Sequence, residues 1–114
     1  MVLKIDFNSD EAIYIQLRNQ IIMGIATDVI REGDTLPSVR QMADHIGINM
    51  HTVIKAYSVL RQEGFVKLDR RRGAVVSLDV DKIRAIEEMR QNLDVVLACG
   101  ICRDISRNEV HQLV

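Results

Sequence analysis

Apolar residues recur at the three- and four-residue spacing of an α-helix over five stretches of this 114-residue chain. The first stretch runs from about Glu11 to Ile30, and Ser9 or Asp10 is placed to cap it. Gly24, inside this stretch, costs about 1 kcal/mol relative to alanine, which indicates a close contact with another helix. We therefore predict a core helix that serves packing alone.

Two helices joined by a tight turn are predicted in the middle of the chain. The first begins after Ser38, whose hydroxyl can accept a backbone hydrogen bond as N-cap. Gly47 can adopt the left-handed conformation of a helix end, and Asn49 can cap the next helix, which runs from about Met50 to Glu63. This arrangement is a helix-turn-helix.

The second of these helices has one apolar face and one largely polar face. The apolar stripe consists of Val53, Ala56, Tyr57 and Leu60. The residues left facing partly or wholly outward are Met50, His51, Thr52, Lys55 and Ser58. An exposed N-terminal turn of this polarity suits insertion into the major groove of DNA.

A hairpin with three arginines at its tip follows. Two alternating segments, at 65–68 and 74–78, flank Arg70 to Arg72. An arbitrary arginine triplet is more often a solvated turn, but this one directly follows a candidate recognition helix. It is therefore placed along the phosphate backbone, where arginines make bidentate contacts and release counterions. The order of elements predicts a winged helix-turn-helix in an α+β, mainly helical chain.

A helical tail is predicted after the hairpin. Asp79 or Asp81 can cap a helix that runs to about Ala98, and Ser106 with Glu109 matches the capping box of a second, shorter helix. The apolar positions of the longer helix approach a coiled-coil rhythm and are Ile83, Ile86, Met89, Leu93, Val96 and Leu97. The preceding domain can cover few of them, so we expect a DNA-binding domain at 1–78 and a tail at 79–114 that forms a homodimer.

The charge of the chain is unevenly distributed. The net charge is -1, but between Arg31 and Gly73 eight Lys/Arg face five acidic residues, which gives +3. The remainder has seven basic and eleven acidic residues, which gives -4. A basic region on an acidic body is consistent with attraction to DNA, although such segregation alone is weak support.

Residues 5 to 78 resemble the DNA-binding domain of GntR-family bacterial transcription regulators. The matching positions are Ile5-Asp6, Ile13-Tyr14-Ile15-Gln16-Leu17, Leu36-Pro37-Ser38-Val39-Arg40, Ala43, Gly47-Ile48-Asn49, Thr52-Val53, Lys55-Ala56-Tyr57, Leu60, Glu63-Gly64, Arg72-Gly73 and Val75-Val76. The short tail is similar to that of the YtrA-like subfamily, whose members carry a small helical dimerisation region. Many relatives have arginine or proline where this chain has Met50, and some have a basic residue where it has Ile54. The resemblance implies a repressor.

The predicted partner is double-stranded DNA with an inverted-repeat operator. The candidate DNA-binding residues are Ser38, Arg40, Asn49, Met50, His51, Thr52, Lys55, Arg71, Arg72 and Gly73. Arg40 is expected on a phosphate or a base, and Lys55 and Thr52 on phosphates. Met50 and His51 are expected at base edges, and Arg71 and Arg72 at the minor groove or its flanking phosphates. Gly73 lacks a side chain, which lets the backbone approach DNA.

Two cysteines with CxxC spacing leave an alternative open. Cys99 and Cys102 could hold a metal or form a redox dithiol. Zinc needs four ligands, and the other candidates, His45, His51 and His111, are scattered. We expect the cysteines between two helices, with a structural or incidental role, and predict neither a metal site nor a cofactor. A thiol- or metal-responsive regulator remains the alternative.

Other classes of function have little support in the sequence. There is no glycine-rich phosphate loop and no nucleophile with a nearby base, so an enzyme is not expected. No stretch approaches the roughly 20 apolar residues of a membrane span, and a cytoplasmic protein is expected. A winged helix that binds proteins instead of DNA is a second alternative. A small-molecule effector of unknown identity is possible at the dimer interface or beneath the DNA-binding domain.

Overall fold

The computed structural model describes residues 3–78 and 80–114. Within them, the elements in chain order are α1 (Ile13–Ala26), α2 (Val39–Ile46), α3 (Met50–Gln62), β1 (Val66–Asp69), β2 (Gly73–Val76), α4 (Lys82–Cys102) and α5 (Arg107–Leu113). They divide between two compact units, the winged unit Met1–Asp79 and the tail Val80–Val114. The predicted α+β, mainly helical class is confirmed.

The first helix is shorter than its apolar periodicity predicts. α1 begins after Ala12, which makes no side-chain capping hydrogen bond, so neither Ser9 nor Asp10 caps it. The Ser9 hydroxyl instead accepts a hydrogen bond from the Glu11 amide at 3.1 Å, in the turn before the helix. The start of α1 therefore lies two residues later than the predicted start at Glu11.

A left-handed turn ends α1 and folds the chain back onto it. Asp28 has φ of 65°, and the amides of Val29 and Ile30 donate to the Gly24 carbonyl at 2.9 and 3.0 Å. A Cβ on Gly24 would lie 2.8 Å from Cδ1 of Ile30. Gly24 thus makes room for Ile30 and not for another helix, and the predicted extension of the helix to Ile30 is wrong.

Local hydrogen bonds set the turn between the two middle helices. The Ser38 hydroxyl accepts from the Gln41 amide at 3.1 Å, and the Gln41 side chain accepts from the Ser38 amide at 3.0 Å. Gly47 ends α2 with φ of 80°. Asn49 caps α3 by accepting from the His51 amide at 2.7 Å. The predicted caps of this helix-turn-helix are confirmed.

The core of the winged unit lies where its three helices and its sheet meet. The predicted stripe of α3, formed by Val53, Ala56, Tyr57 and Leu60, is buried. It packs in one cluster with Leu17 and Ile21 from α1, Met42 and Ala43 from α2, and Val66, Ala74 and Val76 from the hairpin. The winged unit therefore has a hydrophobic core of its own.

The wing is attached to the segment that leads into α2. β1 and β2 pair in antiparallel register. Alongside β2, the amides of Gly33 and Leu36 donate to the carbonyls of Val76 and Ala74, both at 2.8 Å. The hairpin and the start of α2 are consequently held together by backbone hydrogen bonds.

The long tail helix extends further than predicted. α4 begins after Asp81, whose carboxylate accepts from the Arg84 amide at 3.1 Å, while the alternative cap Asp79 lies outside the described residues. α4 continues past the predicted end at Ala98 to Cys102. The expectation that the cysteines lie between two helices is therefore wrong, because both lie within the last turns of α4.

The tail has no buried residue of its own in either helix. Ser106 caps α5 in a capping box with Glu109, as predicted. The Ile105 amide donates to the Gly100 carbonyl at 3.0 Å in the turn between the helices. Within the described residues, neither α4 nor α5 contains a buried side chain.

Candidate nucleic-acid interface

The outward face of α3 carries polar and apolar side chains. Among the predicted site residues on it, Met50, His51 and Lys55 are exposed and Thr52 is half-buried. Ile54, which is absent from the sequence-based set of site residues, is 45% exposed, and Met50 is 43% exposed. Because residues four positions apart are neighbours on a helix, Met50 and Ile54 lie on the same side of α3.

One hydrogen bond holds α3 against the start of α2. The Tyr57 hydroxyl donates to the Pro37 carbonyl at 2.8 Å. Burial raises the pKa of the Tyr57 phenol far above its ordinary value, so this hydroxyl remains a donor. Met50 and Ile54 precede Tyr57 by seven and three residues, which places them on the flank of α3 nearest the start of α2.

The ammonium group of Lys55 lies on the other flank of α3. Its Nζ atom is 4.2 Å from the ring centroid of Tyr14 on α1, within the range of a cation–π contact. Thr52, three residues before Lys55, lies on that same flank. The two residues expected on phosphates are therefore separated around α3 from Met50 and Ile54, with His51 between the two sets.

The first turn of α2 presents an arginine beside the α3 flank that bears Met50. Ser38 and Arg40 are exposed. The Ser38 oxygen accepts the capping hydrogen bond, so its hydroxyl proton remains available to an acceptor. Arg40 forms no ion pair with any residue in the described part of the chain. A helix N-terminus with an adjacent guanidinium is electrostatically suited to a phosphate.

The tip of the wing is shaped by Asp69. One carboxylate oxygen of Asp69 accepts from the backbone amides of Arg71 and Arg72 at 2.8 and 3.0 Å. These two hydrogen bonds, with smaller contributions from the charges of Arg72 and Lys67, hold the pKa of the exposed carboxyl below its ordinary value. Gly73 closes the turn with φ of 82°, a left-handed conformation that favours glycine.

The wing arginines differ in what their side chains contact. The Arg72 guanidinium donates to the Gly33 carbonyl, in the segment that leads into α2. Within residues 3–78, Arg70 and Arg71 are exposed and make no side-chain hydrogen bond or ion pair. Arg72 thus braces the wing, while Arg70 and Arg71 leave their guanidinium groups available.

An ion pair that sequence reasoning missed fixes the end of α3. Arg18 on α1 binds Glu63, the C-cap of α3, through two hydrogen bonds: Nε to Oε1 at 2.8 Å and Nη2 to Oε2 at 2.7 Å. Such a bidentate pair fixes direction as well as distance. Arg18 and Glu63 therefore hold α1 against α3 and do not contribute to a DNA-binding surface. Sequence spacing could not predict this pair, because its members are 45 residues apart.

The apolar stripe predicted on α4 is exposed along its whole length. We call it the α4 stripe, and its members are Ile83, Ile86, Met89, Leu93, Val96 and Leu97, between 42% and 84% exposed. A groove along it is lined by Ile86, Met89, Arg90, Leu93, Asp94 and Leu97. Contiguous exposed apolar surface of this kind is characteristic of an interaction surface.

Within residues 3–78 and 80–114, two kinds of feature are absent. No group of three or more His, Cys, Asp or Glu residues is arranged to hold a metal ion. None of the described helices has both the length and the apolar character needed to cross a membrane.

Two capped helices joined by a turn and followed by an arginine-tipped hairpin define the chain as a winged helix-turn-helix DNA-binding protein. The model of the family "Bacterial regulatory proteins, gntR family" matches residues 10–76, more than half of the chain. The chain therefore belongs to the GntR family of DNA-binding transcription regulators, which are not enzymes, and the resemblance of the sequence to this family is confirmed.

One relative carries the name of the YtrA-like subfamily, which the short helical tail of this chain resembles. The HTH-type transcriptional repressor YtrA of Bacillus subtilis (strain 168) is 38% identical over 76 residues, which are 67% of this chain and 58% of YtrA. The chain thus spans less than two thirds of that relative's length. The likeness supports the YtrA-like assignment.

Solved structures share the fold over most of the chain. A transcriptional antiterminator from Listeria monocytogenes EGD-e has a TM-score of 0.88 at 26% identity, covering 99% of this chain and 87% of that one. YtrA from Sulfolobus acidocaldarius, a GntR-family transcription factor, has a TM-score of 0.64 at 38% identity, covering 96% and 90%. The DNA-binding domain of AraR, solved with operator ORX1, shares the fold over 68% of this chain and 99% of its own, at 21% identity and a TM-score of 0.58.

Proposed function

We propose that the protein is a homodimeric repressor that binds an inverted-repeat operator with its winged units and pairs through its tails. The observation that carries this proposal is the exposure of every residue of the α4 stripe, on a helix that buries no residue, whereas the winged unit has a buried core of its own. Exposed apolar area of this kind is stabilised by burial against a matching surface, and a second copy supplies one.

On DNA, the two flanks of α3 take different tasks in this proposal. Met50 and Ile54 face base edges in the major groove, where a thioether and a branched alkyl group can pack on thymine methyl groups. His51, between the flanks, donates to a base or a phosphate. Lys55, with Thr52 beside it, contacts the phosphate backbone on the α1 side.

The remaining contacts border the recognition helix. Ser38 and Arg40 bind a phosphate at the N-terminus of α2, and Asn49 lies at the entry of α3 into the groove. Arg71 lies along the next stretch of backbone, with Arg72 and Gly73 holding the wing at the minor groove or its edge. Support comes from the exposure of these residues and from the bracing of the wing against the start of α2.

Pairing of two tails sets the form of the operator. A twofold dimer repeats the same surface on both subunits and carries two recognition helices. Helices about 34 Å apart meet successive turns of one DNA face, and the twofold axis makes the two half-sites an inverted repeat. The α4 groove, with Arg90 and Asp94 among its lining residues, provides both apolar area and charges of opposite sign for a self-complementary contact.

Two arguments support a repressor: the name of a relative, and the physical effect of a dimer that occupies a promoter. YtrA of Bacillus subtilis is named a transcriptional repressor, and the chain shares its family. A tightly bound dimer over a promoter excludes other proteins without any further contact. Binding to chromosomal DNA would place the protein in the bacterial cytoplasm.

Selection of bound genomic fragments, followed by footprinting and sedimentation, tests the proposal. We expect a footprint with twofold symmetry, two chains per site and an affinity that falls steeply with salt. A symmetric site occupied by one chain would refute the dimer. Absence of salt-dependent binding to any DNA would instead favour a winged helix that binds proteins.

A further inference from the structure

Two thiols lie side by side near the end of α4 and take no part in the proposed DNA binding or pairing. Cys99 and Cys102 are both free and exposed. Both belong to α4, three positions apart, and side chains at this spacing are neighbours on one helix face. Neither thiol is buried by packing within the chain, so both sulfurs are available to a ligand.

Cys102 lies on the side of α4 opposite the centre of the α4 stripe, and Cys99 borders the stripe at Val96, three positions before it. Cys102 follows Leu93 by nine residues, which is about two and a half helical turns, so the two residues lie on opposite sides of α4. The cysteines share a concave surface with Val95 and Ala98. Of the residues lining this concavity, only Asp94 also lines the groove along the stripe. Pairing centred on Leu93 would leave Cys102 accessible, with Cys99 at the edge of the paired surface.

Helix geometry disfavours a disulfide between these cysteines. Residues three apart on a helix have Cβ atoms about 5–6 Å apart, whereas a disulfide requires about 3.5–4.5 Å. Oxidation would therefore demand that the last turn of α4 unwind. An ion bound between the two sulfurs does not require the helix to unwind. Two collinear metal–sulfur bonds, each about 2.3 Å as for zinc, place the sulfurs about 4.6 Å apart, which is farther than a disulfide allows.

We propose that Cys99 and Cys102 of one chain bind a single soft, thiophilic cation of the Cu(I) class. Each thiol loses its proton on binding, so two thiols and one Cu⁺ give a two-coordinate dithiolate complex and two protons, with no change in oxidation state. Thiolates are preferred ligands of Cu(I), zinc and iron–sulfur clusters, and of these Cu(I) is satisfied by two sulfurs in line. A zinc site would need two more ligands, and within the described chain no group of three His, Cys, Asp or Glu residues is arranged to hold a metal ion.

The charges around the thiols suit such a complex. Two thiolates and one monovalent cation carry a net charge of -1. Arg103, the C-cap residue of α4, is among the residues that line the same concavity, and its positive charge can offset this charge. Asp94 lies at the other end of the concavity, five positions before Cys99. Arg103 directly follows Cys102 in the chain, whereas Asp94 precedes Cys99 by more than one helical turn.

Anaerobic titration of the reduced full-length protein with Cu(I), in competition with a coloured Cu(I) chelator, tests the site. We expect one ion per chain and a near-ultraviolet thiolate-to-copper absorption band. Cys99→Ala and Cys102→Ala should each lower the Cu(I) affinity at least about a hundredfold, because loss of a ligand costs at least as much as loss of an outer-shell hydrogen-bond partner. Circular dichroism should show that both variants remain helical.

A spacing control separates the paired geometry from the mere presence of two thiols. Cys102→Ala combined with Ile101→Cys keeps two cysteines but places them about 200° apart around the helix. This variant should bind Cu(I) as weakly as the single-cysteine variants. Parent-like affinity in it would overturn the proposal, as would one ion shared by two chains, which would indicate a site between subunits. Closure of a Cys99–Cys102 disulfide by oxidised glutathione without loss of helicity would contradict the geometric argument.

Discussion

The winged unit and the tail differ in what covers their apolar side chains, although both contain helices with side-chain caps. In the winged unit, α3 places four residues in a buried cluster with α1, α2 and the hairpin. In the tail, α4 is the longest helix of the described chain, yet it buries no residue. Good capping therefore defines a helix but does not give it a core, and the stability of the tail must depend on something outside it.

Removal of the tail is the most severe test of this contrast. A chain ending at Asp79 keeps the buried cluster, so it should fold and remain monomeric. Its affinity for the operator should fall by about 10²- to 10⁴-fold, because linking two half-sites multiplies affinity through effective concentration. Sedimentation and gel-shift titration measure the two effects. A dimeric truncated chain would show that the pairing surface lies in the winged unit.

A matched pair of leucine substitutions compares the two regions directly. Leu60→Ala removes a fully buried side chain and should lower the free energy of unfolding by about 2–5 kcal/mol. Leu93→Ala, on the half-exposed α4 stripe, should leave the unfolding of the winged unit unchanged. It should raise the dimer dissociation constant about tenfold or more, since symmetry deletes the side chain twice. Equal losses of winged-unit stability would mean that the tail packs on that unit.

Met50→Arg asks whether the exposed face of the winged unit is free to change. Met50 is 43% exposed, so thermal stability should be nearly intact. The preferred base at one symmetric position per half-site should shift, with about 1–3 kcal/mol of discrimination. Selection from random DNA compares the variant with its parent. An unchanged consensus or a collapsed melting temperature would assign Met50 to packing instead.

The wing arginines provide a smaller effect. Replacing both Arg71 and Arg72 by alanine should weaken specific and random DNA binding alike, and should reduce the slope of log affinity against log salt by about 0.9 per lost phosphate contact. The single variants should differ: Arg71→Ala leaves folding unaffected, whereas Arg72→Ala also loses the hydrogen bond to the Gly33 carbonyl. A salt slope that stays constant in the double variant would remove the wing from the interface.

The smallest effect concerns Asp69. Its folded-state pKa lies below the ordinary 3.8, so its contribution to stability is complete above that value and is lost as pH falls through the folded-state pKa. Asp69→Asn keeps an acceptor for the wing amides but cannot titrate. Acid unfolding of the variant should therefore show a weaker pH dependence below about pH 4. The contacts of Asp69 lie within the wing, so the chain that ends at Asp79 should show the same difference in acid unfolding between Asp69 and its Asn variant.

The parts of the fold that depend on neighbouring residues could be predicted, and those that depend on distant partners could not. The caps at Ser38, Asn49 and Ser106 were predictable because a side chain and an amide two or three residues away settle each one. The end of α1 was not, because apolar spacing continues through a turn set by Asp28.

For the candidate interface, sequence patterns identify the exposed residues but not their grouping. The neighbours on each side of α3 were not predictable: Lys55 contacts Tyr14 of α1, and Tyr57 of α3 donates to the Pro37 carbonyl before α2. The exposure of Ile54 was not predictable either, because an apolar residue on α3 is expected in the core unless the fold leaves it uncovered. The assignment of a role to Gln16, whose buried amide group holds the backbone of Asp6, likewise required the fold.

The close contact between Gly24 and Ile30 also restricts which residues can replace either of them during evolution. Any side chain at this position meets Ile30, which is buried and whose amide returns to the Gly24 carbonyl. A larger residue at 24 is tolerated only where the residue at 30 becomes smaller, since closely packed neighbours do not change independently. Positions 24 and 30 should accordingly covary among relatives, so that a substitution at one is accompanied by a substitution at the other.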